Sequence, residues 1–231
     1  PQAILKHKGI IANPNCSTII MVMALKPIYD LAKIKRVIVS TYQAVSGAGK
    51  EGIDELDAQV REHSEGREMT ANILPSASAE KHYPIAFNLI PQIDVFCDNL
   101  YTKEEMKMVN ETKKIMEDYE MRITATTIRV PVYRSHSESV NIELEKEVDL
   151  GAMREALAKF PGVTVQDDPS KQEYPMPLYT SEKDDVYVGR LRRDESCEKS
   201  YNMWVVGDQI RKGAALNTLQ IAETMIKNGW I

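Results

Sequence analysis

The chain has 231 residues, 43% of them hydrophobic, enough to bury a sizeable core in one large domain, with or without an appendage. A formal net charge of −5 and a pI near 5.5, with no Lys/Arg cluster free of neighbouring acids, exclude a nucleic-acid polymer as partner but leave room for a small anion held by a few placed cations. Three cysteines without a CxxC suggest neither a disulfide framework nor a zinc site, and no apolar run reaches the roughly 18 to 20 residues of a membrane span, so a reduced, cytoplasmic setting without membrane or metal is expected.

The chain opens on Pro1 and soon enters an apolar, strand-like run at 9–12. Pro14 marks a turn, and Ile19, Ile20, Met23, Ala24 and Pro27 follow at helical spacing, so Cys16 opens a helix. Unpaired amide N–H groups and the positive end of the helix dipole favour a thiolate there, the form that attacks carbonyl carbon. Equally, Cys16 can be a small buried residue capping a core helix. The β-branched run 37–41 predicts a buried strand that delivers Gln43 to a loop containing Ser46, Gly47 and Gly49. A carboxamide beside a thiol can orient a carbonyl, or it can bond a neighbouring backbone at a strand end.

Residues 51–65 read as an amphipathic helix, and 67–98 as irregular, with a strand at 93–96; His63 and His82 belong to the surface and Cys97 to the structure. Thr102 followed by acids caps a helix to about residue 119, on which Glu111 and Lys114 share a face, the spacing of an ordinary surface ion pair. A long strand at 122–132 carries Arg129, and His136 follows in a turn. A bidentate guanidinium suits a carboxylate, and an imidazole titrating near neutrality suits proton transfer. Then come a strand at 140–148, a helix at 150–160, a short strand at 163–165, a proline-bearing loop at 169–181, strands at 185–193 and 201–206, and an amphipathic helix at 208–227. Strands that follow one another directly, with helices between others, predict an α+β fold: a mixed, largely antiparallel sheet with helices packed on one face.

Four stretches in order, Asn15-Cys16-Ser17-Thr18, the run Tyr42 to Gly49 (YQAVSGAG), Arg129-Val130-Pro131-Val132 with His136-Ser137, and Lys212 to Asn217 (KGAALN), give the chain its resemblance to bacterial aspartate-semialdehyde dehydrogenase. The resemblance runs from end to end. It implies a glyceraldehyde-3-phosphate-dehydrogenase-like C-terminal domain, with residues 1–207 as the catalytic and dimerisation domain and 208–231 as a helix that packs on a nucleotide-binding domain. No G-x-G-x-x-G follows a strand in this chain, so that NADP-binding domain is expected upstream of Pro1. The resemblance further implies Cys16, His136 and Gln43 as catalytic residues: nucleophile, acid/base, and oxyanion or carbonyl contact. Arg129, Glu111, Lys114 and Asn15 would bind substrate, the acid holding ammonium and the lysine phosphate; Ser46, Gly47 and Asn217 would lie against NADP. The implied reaction reduces L-aspartyl 4-phosphate to the semialdehyde through a cysteine thioester, in a homodimer or homotetramer. A related acyl-phosphate reductase, or a dimerisation and substrate-binding module without turnover, is the alternative.

Overall fold

The computed structural model describes residues 2–231. Its strands are β1 (Ile34–Gln43), β2 (Arg122–Arg129), β3 (His136–Leu144), β4 (Val163–Val165), β5 (Val186–Arg193) and β6 (Ser200–Gly207). Its helices are α1 (Cys16–Leu31), α2 (Lys50–Ser64), α3 (Lys103–Met116), α4 (Leu150–Lys159), the single turn α5 (Pro177–Thr180) and α6 (Leu216–Lys227). The strands form one sheet in the order β2-β1-β3-β6-β5-β4. The four central strands pair antiparallel, while β2 and β4 add parallel at the two edges. This is the α+β, mixed and largely antiparallel sheet that the order of elements predicts.

One face of the sheet carries the core. Val37 and Val39, Val140 and Ile142, Met203 and Val205 alternate inward along their strands and meet Ile20, Met21, Leu25 and Ile28 of α1, all buried. Each such side chain contributes about 2 kcal/mol of transfer free energy. Helix α1 is apolar around most of its circumference because it lies on the sheet with α3 and α4 beside it. Met108 of α3 and Met153 and Leu157 of α4 complete the same cluster. On the opposite face lie Ile38, Tyr42 and Trp204, with α5 meeting β6 at one corner; Tyr42 and Trp204 pack with ring centroids 5.5 Å apart.

A second, smaller core of Val45, Leu56, Leu74, Ile85, Ala86 and Ile90 lies under α2 and the irregular segment that follows it. Buried irregular backbone needs partners, and α2 supplies them from two side chains. Glu55 accepts from the N–H groups of Asn72, Ile73 and Leu74, and Gln59 accepts from Ile85 and Ala86 while donating to the Thr70 carbonyl.

Several elements differ from expectation. Residues 9–12 form no strand, since no neighbouring strand offers them a ladder, and Ile10 is exposed. At 93–96 only an isolated bridge from Phe96 to Thr102 forms. β2 stops at Arg129, and β3 starts at His136 itself, four residues before the clear alternation. The final helix is interrupted: Gln209 and Ile210 make a turn, Arg211–Ala215 form one π-helical turn, and α6 follows. Among the described residues no helix is long and apolar enough to cross a membrane, and no three His, Cys, Asp or Glu side chains group as a metal site.

Candidate active site

Sheet register brings three chemically distinct residues into one row. β1 and β2 are parallel, so they end together, and Gln43 pairs with Arg129. β3 starts at that edge, with Tyr42 opposite Ser137, which sets Gln43 against His136; His136 in turn faces Gly207 at the end of β6. Gln43, Arg129 and His136 share the parity of Val39, Ala125 and Val140, so all three point to the helix-covered face. All are buried.

Helix α1 begins over this row. Asn15 is its N-cap: the side-chain oxygen accepts from Thr18 N at 3.1 Å, so the cap orients the turn that carries Cys16. Gly213 of the π-helical turn closes the other side, where a Cβ would stand 3.0 Å from Cys16 Cβ. Gly47 lies over Arg129 and His136, and a Cβ there would stand 2.6 Å from Arg129 Nη1 and 3.3 Å from His136 Nε2. Gln209 ties the loops together. It donates to Ser46 Oγ and accepts from the N–H of Ser135, a residue held at φ +70° just before His136. Asp208 pins the same corner by an ion pair with Arg134 at 2.6 Å.

A buried carboxylate not anticipated from the sequence stands at the centre. Glu104, in the first turn of α3, accepts from Asn15 Nδ2 at 2.8 Å and Gln43 Nε2 at 3.3 Å, and pairs with Lys107 Nζ at 3.4 Å. Lys107 also pairs with Asp94 at 3.3 Å. Burial alone would lower the Lys107 pKa, but Glu104 and Asp94 outweigh it and the net shift is upward. The signal in the sequence was a second Glu-x-x-Lys spacing, at Glu104 and Lys107, directly after the Thr102 cap.

Glu111 and Lys114, the expected pair, are not brought to the row. They lie roughly 10 and 15 Å further along the axis of α3 than Glu104. Glu111 accepts from the backbone N–H of Asn15 at 2.7 Å, so it buttresses the cap from outside; Lys114 is exposed beside the N-terminal segment.

The electrostatics also depart from expectation. Burial pushes the Cys16 thiol up to about 12, the neighbouring Glu104 adds to this, and the Ser17 N–H, Arg129 and Ser17 hydroxyl oppose it. The helix terminus therefore does not prevail over desolvation, and the resting nucleophile is a thiol. Burial, then Arg129, holds His136 well below the usual imidazole range, so it is neutral. Burial lowers Arg129 as well, with Glu104 and Cys16 supporting its charge. Arg129 Nη1 donates to the Ala44 carbonyl at 2.7 Å, while Arg129 Nε and His136 Nε2 are buried with no partner among the described residues.

Of the residues expected to meet a dinucleotide, Ser46 is buried and engaged by Gln209, whereas Gly47 is exposed above Arg129 and His136. Asn217 joins a polar strip: its Nδ2 donates to Asn13 Oδ1 at 2.8 Å, and its Oδ1 accepts from Lys212 Nζ at 3.1 Å. A bare Cα at Gly47 and carboxamides near Cys16 fit a flat ring bearing an amide, the reactive end of a nicotinamide cofactor.

Comparison with known proteins bears on this geometry. Residues 25–212 match the family model described as semialdehyde dehydrogenase, dimerisation domain. Aspartate-semialdehyde dehydrogenase of Aquifex aeolicus is 55% identical over 226 residues, which are 98% of this chain and 65% of that protein. The Bacillus subtilis enzyme is 52% identical over 96% of this chain and 64% of its own length. A crystal structure of aspartate semialdehyde dehydrogenase II from Vibrio cholerae complexed with ASA superposes with a TM-score of 0.91 at 45% identity, over 98% of this chain and 66% of that one. The chain thus spans about two thirds of the length of the relatives it matches. With the family model, the relatives and the fold in agreement, the chain belongs to the semialdehyde dehydrogenase family.

Proposed function

We propose that the protein of which this chain is part is an aspartate-semialdehyde dehydrogenase that reduces L-aspartyl 4-phosphate to L-aspartate 4-semialdehyde, with NADP as cofactor. The observation that carries the reading is the convergence of Cys16, Gln43, Glu104, Arg129 and His136 at one end of the sheet, under the N-terminus of α1. Cys16 gives up its thiol proton to His136, the acid/base, and its sulfur bonds to the acyl carbon; the carbon–oxygen bond to phosphate breaks, and a thioester remains. NADPH, when bound, supplies the hydride that takes this thioester to the oxidation level of the aldehyde. Cleavage of the carbon–sulfur bond then frees the product.

The substrate's charges find partners in the row. Arg129 offers its free Nε to the α-carboxylate. Glu104 takes the ammonium group, helped by the Gln43 carbonyl, because both amide protons of Gln43 are engaged, by Glu104 and by Thr41 Oγ1 at 3.2 Å. Lys107, half exposed at the rim, takes phosphate. Gly47 and Asn217 contact the nicotinamide end, Ser46 holds the Gly47 loop, and the rest of the cofactor is held by residues beyond these 231. In this reading residues 1–207 are the catalytic and dimerisation domain, while α6, with Leu219 and Ile226 exposed, packs on the nucleotide-binding domain. The sheet face bearing Tyr42 and Trp204 pairs two copies in the cytoplasm.

The test is NADP- and phosphate-dependent oxidation of L-aspartate 4-semialdehyde by the full-length protein, abolished by Cys16→Ser. Turnover of an N-acetylglutamyl or glyceraldehyde phosphate substrate instead would assign it to a related acyl-phosphate reductase. A stable dimer with no calorimetric binding of NADP(H) and no turnover would reduce it to a substrate-binding module.

A further inference from the structure

Lys212 is a cation that the fold takes out of water without giving it an acid. It is 8% exposed, burial lowers its pKa, and no carboxylate pairs with it among the described residues. Its neighbour Arg211, by contrast, is exposed and paired with Asp184. An ammonium buried against neutral acceptors alone carries a desolvation cost that they offset only in part, so packing does not account for it.

The π-helical turn brings Lys212 inward. The Gly213 N–H bonds to the Asp208 carbonyl at 3.1 Å and the Ala215 N–H to that of Ile210 at 3.0 Å, five residues apart instead of four. Residues five apart therefore stack along the axis, which places Lys212 below Asn217, with Gln220 about one turn further on the same face of α6. Lys212 Nζ donates to Asn217 Oδ1 at 3.1 Å and to Gln220 Oε1 at 2.6 Å.

An ammonium donates and never accepts, so it dictates which end of each carboxamide faces it. Asn217 turns its oxygen to Lys212 and its nitrogen away. That nitrogen donates to Asn13 Oδ1 at 2.8 Å, and its second proton has no acceptor among the described residues. The strip adjoins the nucleophile on two sides: Gly213, next to Lys212, lies against Cys16, and Asn13 stands two residues before the Asn15 cap.

We propose that Lys212 is a positioning residue for the cofactor: its ammonium holds the Asn217 carboxamide with the oxygen inward, so that the amide NH2 group, braced on Asn13, is presented to the nicotinamide end of NADP. This rests on the reading above in which Asn217 contacts that end. Lys212 touches no cofactor atom and acts through Asn217.

The test is calorimetric titration of NADP into the full-length protein and its variants. Lys212→Met should weaken binding about tenfold, the loss of one oriented hydrogen bond, and Asn217→Ala by a similar factor. The double variant should bind no more weakly than Asn217→Ala, because the lysine then has no carboxamide to orient. The Tm of Lys212→Met should stay level or rise, since a buried charge is removed. Additive losses in the double variant, unaltered binding in Lys212→Met, or a loss of binding matched by a lower Tm would each overturn the proposal. In the free 15N-labelled chain, the Asn217 side-chain amide protons should exchange with water at least tenfold more slowly than in Lys212→Met; equal rates would overturn the proposal without any cofactor present. Failure of the unaltered full-length protein to bind NADP would overturn the dehydrogenase reading instead, with the hold of Lys212 on Asn217 still decided by the free-chain exchange rates.

Discussion

Asn15 joins the first turn of α1 to the first turn of α3: one side chain caps the Cys16 helix through Thr18 N and donates to Glu104 Oε1 at 2.8 Å. Removing it should be felt twice. Asn15→Ala loses the cap, about 1 kcal/mol, and so lowers Tm by about 2–4 °C. Asn15→Asp keeps a capping oxygen but sets a second carboxylate against Glu104. Calorimetry should show stability largely retained in the Asp variant, while steady-state kinetics of the full-length enzyme show KM for the amino-acid substrate raised tenfold or more. Equal kinetics in the two variants would mean that the bond to Glu104 does not matter for binding.

The two Glu-x-x-Lys spacings of α3 should separate cleanly in the full-length enzyme. Glu104→Gln and Lys107→Met should each raise KM by about tenfold or more, the loss of one charge-assisted contact. Lys114→Met should change neither KM nor kcat, and Glu111→Gln should act on stability, through the Asn15 N–H that it supports. A binding defect in Lys114→Met would reverse this assignment.

Cys16 should alkylate slowly. With the thiol pushed up to about 12, the rate of carbamidomethylation in the free chain should climb with pH and show no plateau below about pH 10. Because Glu104 raises that value, Glu104→Gln should speed labelling severalfold at a fixed pH. A plateau near neutrality would mean that the helix terminus outweighs burial after all.

Glu138 is a buried acid with neither carboxyl oxygen partnered among the described residues, and burial holds its pKa well above the usual range. The folded chain therefore binds a proton that the unfolded chain releases, and ionisation of the unfolded chain costs stability at neutral pH. That cost shrinks as pH falls from the folded pKa towards the unfolded value near 4.3 and vanishes below it. Glu138→Gln, isosteric with the neutral acid, should raise Tm at about pH 7 by several degrees and leave it unchanged at about pH 4. A lower Tm at pH 7 would show that the carboxyl has a partner worth more than its desolvation.

Gly47 and Gly213 are small for steric reasons. The Cβ of Gly47→Ala would meet Arg129 Nη1 at 2.6 Å and that of Gly213→Ala would meet Cys16 Cβ at 3.0 Å. The first should weaken substrate binding and the second should lower kcat, each by up to about 10²-fold, since displacements near 1 Å suffice for that. Circular dichroism and the activity of the two variants would check it.

Much of this was legible in the sequence where local chemistry and tertiary structure agree. The helix opening at Cys16, the Thr102 cap and the strands β1, β5 and β6 could be read from local pattern, and Cys16, Gln43, Arg129 and His136 were singled out by motif. What escaped depended on contacts distant along the chain. Nothing local distinguishes Glu104–Lys107 from Glu111–Lys114; only the docking of the first turn of α3 against the end of β1 does so. The irregular stretch after α2 looked patternless because its order comes from Glu55 and Gln59 rather than from any period of its own. The thiol's protonation was misjudged for a related reason: a helix terminus can be seen in sequence, but the depth of burial cannot.

The parallel pairing of β1 with β2 has a kinetic consequence. The two strands that align Gln43 with Arg129 are separated along the chain by residues 44–121, which hold α2, the second core and α3. Closing so long a stretch must precede any reward from the pairing, and such non-local contacts form late in folding. The row is complete only when residues near positions 15, 43, 104, 129, 136 and 213 have all arrived. Assembly of the site is then coupled to the last step of folding, so partly folded forms of the chain expose a cysteine without the neighbours that would direct its chemistry.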